Sequence, residues 1–258
     1  MNEIIEFNNS ILEYRDTPWD ERVFEVTTKE VLNIKYENID DVNTLLQKLE
    51  NECFIKSKVM IYFRVDINDI VLKKVLIENG YYISETSTKL ISKNVQQFDY
   101  NKIFKKNLDL TTALTDDFQL QIKDIAYTSF NFSRFHEDPF VNIGKSKMRY
   151  KNWIDDLIKQ DKKVLIYQKN NNVYSFMFYE FLNETTVSLI LGGSKENYGQ
   201  LTPSFWVSVF NYLKNLGVKT IEVVVSAGNI TIINLYIMNG FLFKNVSLDY
   251  HKIIEKGK

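Results

Sequence analysis

One stretch, residues 221–250 (IEVVVSAGNITIINLYIMNGFLFKNVSLDY), limits what the chain can fold into more than any other. It opens on an apolar β-branched run, 221–225, that reads as a buried strand. Ser226, Ala227 and Gly228 break the run. Asn229 then suits a helix N-cap, where its side-chain oxygen takes an N–H that the helix leaves unpaired. Ile232, Ile233 and residues 235–238 recur at helical spacing until Asn239-Gly240 stops the helix with a residue tolerant of positive φ. Phe241 opens an alternating strand. Asn229 and Tyr236 lie seven residues apart, two helical turns, and so share one face. A strand that hands an Asn to a helix start, with a phenol two turns on, suits a thiol cofactor: free amides near one part of it and an O–H near its sulfur. The same spacing also fits a βαβ piece whose tyrosine is only core.

The remaining composition narrows the class of protein. With 258 residues, 45% hydrophobic and 25% charged, the chain has room for one large domain or two small ones of ordinary globular type. A net charge of −1 gives no electrostatic case for nucleic acid or an anionic membrane. One cysteine, Cys53, makes no internal disulfide, and two histidines, His136 and His251, argue against a protein-only zinc site. The opening MNEIIEFNNS is acidic and broken by polar residues, unlike a signal peptide, and no apolar run approaches the ~20 residues of a spanning helix. The expectation is a soluble, cytoplasmic protein with no metal, no nucleic acid and no membrane partner. The sequence leaves open whether it forms a homodimer.

Residues 1–92 read as a small αβ unit. A polar opening at 12–20 precedes a strand near 31–36, a helix begun by Asp40 and Asp41, a strand at 59–65, a helix ended by Gly80, and a returning strand at 81–91. Residues 93–107 lack periodicity and read as a linker. From 108 onward the order is strand, two helices, three strands, helix, strand, helix, strand. Its signals include the Asp116-Asp117 helix start, the Asn-rich hairpin at 169–172, a strand at 187–191 ended by Gly192-Gly193, and a helix over 205–216. The run 59–91 repeats the layout of 221–250, with Asn79-Gly80-Tyr81 answering Asn239-Gly240-Phe241 and Leu76 standing at the place of Tyr236.

The pattern Asn229, Leu235, Tyr236, Gly240, Phe241 resembles the last conserved block of the GCN5-related N-acetyltransferases (GNAT), and the element order over 108–252 matches that fold. The resemblance implies a mixed, mostly antiparallel sheet with flanking helices at 108–258, preceded by a smaller degenerate GNAT-like αβ domain at 1–92. It implies acetyl-CoA as the acyl donor. Backbone N–H groups about Leu191 and Gly192 would hold the thioester carbonyl, and Asn229 the acyl-CoA arm. Gly199, Gln200, Leu201, Thr202 and Ser204 would line the pyrophosphate, with Lys195 nearby. Tyr236 would protonate the departing thiolate. This loop departs from the family's glycine-rich signature: only Gly199 answers a glycine, while Leu201 and Pro203 fill the tighter positions.

Within the superfamily, Ser133-Arg134-Phe135 followed by Tyr150 and Trp153 resembles the acetyltransferases of dTDP-fucosamine, as do Trp19-Asp20 with Phe24, and Gly80-Tyr81 with Glu85. That resemblance implies a nucleotide-linked 4-amino-4,6-dideoxysugar as acceptor, with Ser133, Arg134, Phe135, Tyr150 and Trp153 against it and Glu85 as general base. Each residue also has a plainer reading. Glu85 fits a solvent-facing strand position, Arg134 can pair with Glu137 or Asp138, and His136, flanked by acids, reads as a surface group. A peptide or small amine as acceptor, and a non-catalytic binding module, are the alternatives.

Overall fold

The computed structural model describes residues 2–53, 58–102 and 107–255. The chain begins β1 (Asn2–Phe7), β2 (Ser10–Asp16), α1 (Pro18–Phe24), β3 (Thr27–Lys35), α2 (Ile39–Cys53), β4 (Lys58–Asp66), α3 (Ile70–Glu78) and β5 (Tyr82–Ser92). It continues β6 (Leu110–Thr111), α4 (Asp116–Thr128), α5 (Ile143–Lys159), β7 (Lys163–Lys169), β8 (Asn172–Asn183), β9 (Thr186–Ser194), α6 (Thr202–Asn215), β10 (Thr220–Ser226), α7 (Ile230–Met238) and β11 (Leu242–Glu255).

Two compact units result. The first holds residues 1–87, 137–141 and 246–258, and the second holds 88–136 and 142–245, so β5 and β11 each contribute to both. In the first unit the strand order is β1-β2-β3-β4-β11. β3 and β4 run parallel with α2 as the crossover, and the other pairs are antiparallel. Leu45, Leu46 and Leu49 of α2 and Leu72, Val75 and Leu76 of α3 pack with Ile61, Phe63 and Val65 of β4. The opening hairpin, β1 and β2, is where the polar reading of the first residues falls short. β1 is an edge strand with one buried side chain, Ile5, and an Asn8-Asn9 turn with Asn8 at φ +51°. So little of it is buried that no hydrophobic period shows.

In the second unit the order is β10-β9-β8-β7-β6, antiparallel except for the parallel β10·β9 pair crossed over by α6. Its sheet separates two apolar clusters. One gathers Phe205, Trp206, Val209 and Phe210 of α6, Tyr236 of α7 and Phe241. The other gathers Phe118, Ile122 and Ile125 of α4 and Ile154 and Leu157 of α5 against Phe176 and Phe178. Within the expected linker, Val95 and Tyr100 are buried in the first of these clusters, and residues 103–106 lie outside the described residues. No helix among the described residues is long and apolar enough to cross a membrane.

Candidate active site in the second unit

The site is made by two parallel strands that part. β9 and β10 pair from Thr186↔Thr220 to Leu189↔Val223, yet β9 runs on to Ser194 and β10 to Ser226. The cause lies on the other edge of β9. Against β8, Leu189 faces Tyr179 and Leu191 faces Phe178, so Ile190 is one residue too many and the strand bulges. A bulge bends its strand and reverses the side-chain alternation beyond it. Leu189 accordingly points into the α6 cluster and Leu191 into the α4–α5 cluster. The divergent end thus begins where Leu191 and Gly192 were expected to offer backbone donors.

Both glycines there have packing reasons. A Cβ on Gly192 would stand 2.6 Å from Met177 Sδ, and one on Gly193 would stand 3.0 Å from the Phe130 ring. Gly199 has no such reason: nothing lies within 4 Å of its would-be Cβ.

From Ser194 the chain climbs to α6 through a loop tied by few bonds. Lys195 N–H donates to Tyr174 O (2.8 Å), Leu201 N–H to Tyr198 O (2.9 Å), and the Tyr198 ring meets Tyr174 edge-on at 4.7 Å. Gly199 and Gln200 are exposed, while Leu201, Thr202 and Ser204 are half-buried. Pro203 occupies the first turn, where its missing N–H costs nothing, and no acidic residue lies in that turn. The Thr202 hydroxyl donates to Ser194 Oγ (3.0 Å), which also contacts Ser175 Oγ (2.9 Å). A helix N-terminus without carboxylates keeps its attraction for anions.

Asn229 is the N-cap of α7, its Oδ1 accepting from Ile232 N–H at 3.4 Å. Tyr236 is 2% exposed. Its ring packs on Phe210 (6.0 Å) and Phe241 (4.9 Å), so the phenol sits in the core cluster of the unit. Burial pushes its pKa up and the Trp206 indole opposes that. Trp206 escaped the sequence reading, where it was one of several aromatics on an apolar helix. Glu222 of β10 is no base: hydrogen bonds from Lys244 and Lys89 hold it below the usual carboxylate range.

Of the residues expected on the acceptor, Ser133, Arg134 and Phe135 lie in the loop between α4 and α5, and Tyr150 and Trp153 lie on α5. Phe135 is buried, and its carbonyl accepts from Ser146 Oγ at 2.6 Å. The Arg134 guanidinium lies 5.3 Å from the Phe135 ring centroid. Tyr150 meets Trp153 edge-on (5.5 Å) and lies against Phe130 (5.0 Å), the ring that covers Gly193. His136 is not the surface group its acidic neighbours imply. Its Nδ1 lies 2.8 Å from Ser133 Oγ, its ring meets Tyr150 at 5.0 Å, and burial together with Lys147 lowers its pKa to about 4. Glu85 belongs to the first unit, where it is buried rather than solvent-facing. Cys53, also there, is buried, which pushes its thiol up to about 11 and away from nucleophilic use. No cluster of three metal-ligating side chains occurs among the described residues.

No protein-family model and no curated protein sequence matches the chain. Solved structures do. A GCN5-related N-acetyltransferase from Sphaerobacter thermophilus aligns over 96% of this chain and 82% of its own, at TM-score 0.65 and 10% identity. A tandem GNAT protein from the clavulanic acid biosynthesis pathway aligns over 95% and 78%, at TM-score 0.58 and 9% identity. A GCN5-related glucosamine N-acetyltransferase region of a fungal multi-domain GH3 β-N-acetylglucosaminidase covers 94% of this chain, which spans 31% of that protein, at TM-score 0.65 and 12% identity. At such identities the likeness is one of fold. The chain has the mixed α/β fold of the GCN5-related N-acetyltransferases.

Proposed function

We propose that the protein is an acyl-CoA-dependent N-acyltransferase that uses acetyl-CoA and works at the divergent end of β9 and β10. The parting of those strands at the Ile190 bulge carries this reading, because it leaves the β10 side of Leu191 and Gly192 without a strand partner and leads into α6, whose first turn has no acid. A thioester carbonyl held by N–H groups at Leu191 and Gly192 is stabilised as its oxygen gains charge, a large term where it has been measured. The pyrophosphate lies against residues 199–204 and Lys195, and Asn229 holds the arm.

The amine attacks the carbonyl carbon directly. A C–N bond forms, the C–S bond breaks, a general base takes the proton from nitrogen (the role the family resemblance gives to Glu85), and Tyr236 gives one to the CoA thiolate. Burial keeps the Tyr236 phenol protonated until the thiolate is there to receive its proton. The acceptor is an amino sugar, in the finest form a dTDP-linked 4-amino-4,6-dideoxysugar lying on Ser133, Arg134, Phe135, Tyr150 and Trp153. The glucosamine acceptor in the name of one structural neighbour supports that class.

Calorimetric titration with acetyl-CoA, followed by a CoA-release assay with dTDP-4-amino-4,6-dideoxygalactose, tests the proposal. Saturable binding and amine-dependent CoA release are expected. Binding without release for any amine would favour a non-catalytic module, a reading favoured by the core packing of Tyr236. No binding at all would overturn both.

A further inference from the structure

The Ser133–His136 pair raises a question of protons that geometry answers. Ser133 Oγ lies 3.3 Å from Phe135 N–H and 3.2 Å from His136 N–H, both of which donate to it. Those two bonds use both lone pairs of the hydroxyl oxygen. Its single proton therefore goes to the third neighbour, His136 Nδ1, at 2.8 Å. An imidazole whose Nδ1 accepts carries its own proton on Nε2. His136 Nε2 is buried and has no hydrogen-bond partner among the described residues. A buried N–H left unpaired in a folded protein is uncommon and asks for an explanation.

The surroundings supply one. His136 meets Tyr150, Tyr150 lies on Phe130, and Phe130 covers Gly193 at the divergent end of β9. Three contacts, through the rings of Tyr150 and Phe130, thus link His136 to Gly193, at the end of β9 where the acyl group is expected. We infer that Ser133 locks His136 as the Nε2–H tautomer, and that this N–H is a donor for a neutral oxygen of the acyl acceptor, a hydroxyl or ring oxygen of an amino sugar. The identity of that ligand as the acceptor rests on the acyl-transfer reading above; the tautomer does not. The oxygen is neutral because the surroundings favour an uncharged ring: burial, with the Tyr150 ring in a T-shaped contact, and the charge of Lys147. His136 is on this account a binding residue and not the general base, since a base needs the Nε2 lone pair that the proton occupies.

With two histidines in the chain, nitrogen NMR of the imidazoles reads the tautomer directly. Between pH 6 and 8 the ring of His136, assigned by its loss in His136→Gln, is expected to carry its proton on Nε2 only. A proton on Nδ1, or an imidazolium in that range, overturns the inference whether or not the protein transfers acyl groups. Addition of dTDP-4-amino-4,6-dideoxygalactose is expected to shift the Nε2–H resonance, whereas cyclohexylamine, which has no oxygen, leaves it in place. An unmoved resonance with bound sugar removes the ligand half of the proposal.

In the kinetic arm, His136→Leu raises KM for the amino sugar about three- to tenfold, the worth of one neutral hydrogen bond. It leaves kcat within about twofold, and His136→Gln, whose amide N–H₂ reaches the Nε2 position, restores most of the KM. A fall in kcat of a hundredfold or more at unchanged KM would instead make His136 the base. If no amine supports CoA release, the acyl-transfer reading fails while the tautomer result still stands or falls on its own.

Discussion

In the first unit β3 and β4 pair from Thr27↔Val59 to Val31↔Phe63 and then part, just as β9 and β10 do in the second. The same device parts them: Leu32 is one residue too many against β2, as Ile190 is against β8. The helices that follow are capped alike, α3 by Asp69 and α7 by Asn229. Asn79 Nδ2 donates to Val75 O and Asn239 Nδ2 to Leu235 O; Gly80 sits at φ +78° and Gly240 at φ +81°. Tyr81 N–H donates to Leu76 O, and Phe241 N–H to Tyr236 O, which makes Leu76 the counterpart of Tyr236.

The differences are three. Beyond the bulge stand Asn33, Ile34 and Lys35 in one copy and Leu191, Gly192 and Gly193 in the other. The crossover helix α2 starts with Asp40 and Asp41, and Asp41, buried, accepts from Asn8 (2.8 Å) and Ser10 (3.0 Å); α6 has no acid there. The last difference is leucine against tyrosine. Bulge, splay and caps are therefore what this supersecondary unit needs in order to fold. The glycines, the acid-free terminus and the phenol are what one copy adds, and the proposed chemistry stands on the last two.

The sharpest way to break the comparison is at its third difference. Tyr236→Phe keeps the ring on Phe210 and Phe241 and removes only the O–H. Turnover is expected to fall about a hundredfold or more, with acetyl-CoA affinity unchanged by calorimetry. The mirror substitution Leu76→Tyr leaves turnover alone and costs about 1–3 kcal/mol of stability, because it overfills a fully buried position. Equal turnover in wild type and Tyr236→Phe would make the phenol a packing residue in both copies.

The two left-handed glycines sharpen the structural half. Alanine at either place meets the same backbone cost, about 1–2 kcal/mol. A Cβ on Gly240 would also lie 2.5 Å from the Phe98 ring, whereas at Gly80 the nearest atom is Lys252 Cε at 4.0 Å. Denaturant melts are expected to show Gly240→Ala losing about 1–2 kcal/mol more than Gly80→Ala; equal losses would mean that Phe98 swings aside freely. A smaller effect belongs to the helix starts. Ser204→Asp gives α6 a carboxylate at the place of Asp41 in α2. Acetyl-CoA is expected to bind about fivefold more weakly, a cost of about 1 kcal/mol, while the ligand-free protein gains a few tenths from the helix dipole. Unchanged affinity would move the phosphates away from this terminus.

Where the sequence was legible, the signals were local. Asn229, Gly240 and the apolar period between them fix α7 and its caps with no help from distant residues, and Asp116-Asp117 and Asn170-Asn171 do the same for α4 and the β7–β8 turn. Where it was not, the determinant was tertiary. The Ile190 bulge lies inside an unbroken apolar run, and only the β8 register reveals that Leu189 and Leu191 face different clusters. The stretch opened by Phe241 reads as an alternating strand, but nothing in it announces β4, whose residues 58–66 pair with 247–255. His136 is surrounded in sequence by Arg134, Glu137 and Asp138, which speak for solvent; the Tyr150 ring that shields it arrives from the next helix.

The histidines give the last contrast between the units. His251, in the first, has a carboxylate at Nδ1, Asp138 Oδ2 at 2.7 Å. His136, in the second, has a hydroxyl there and a lysine charge nearby, and burial with Lys147 lowers its pKa to about 4. The sign of the consequence follows from linkage. The unfolded chain binds the proton near the ordinary pKa of about 6.5, before the folded one does, so the unfolded state holds more protons between pH 6.5 and 4. The stability that comes from burying the neutral ring is fully present above pH 6.5 and drains away as pH falls through that window. Carboxylates titrating lower down add their own acid limb, so the useful quantity is a difference: Tm of wild type minus Tm of His136→Gln, measured from pH 7 to pH 4. It is expected to shrink steadily as pH falls from 6.5. A flat difference would mean that His136 takes up its proton as readily in the folded chain as in the unfolded one, against the burial beside Ser133 and Tyr150 and the charge of Lys147.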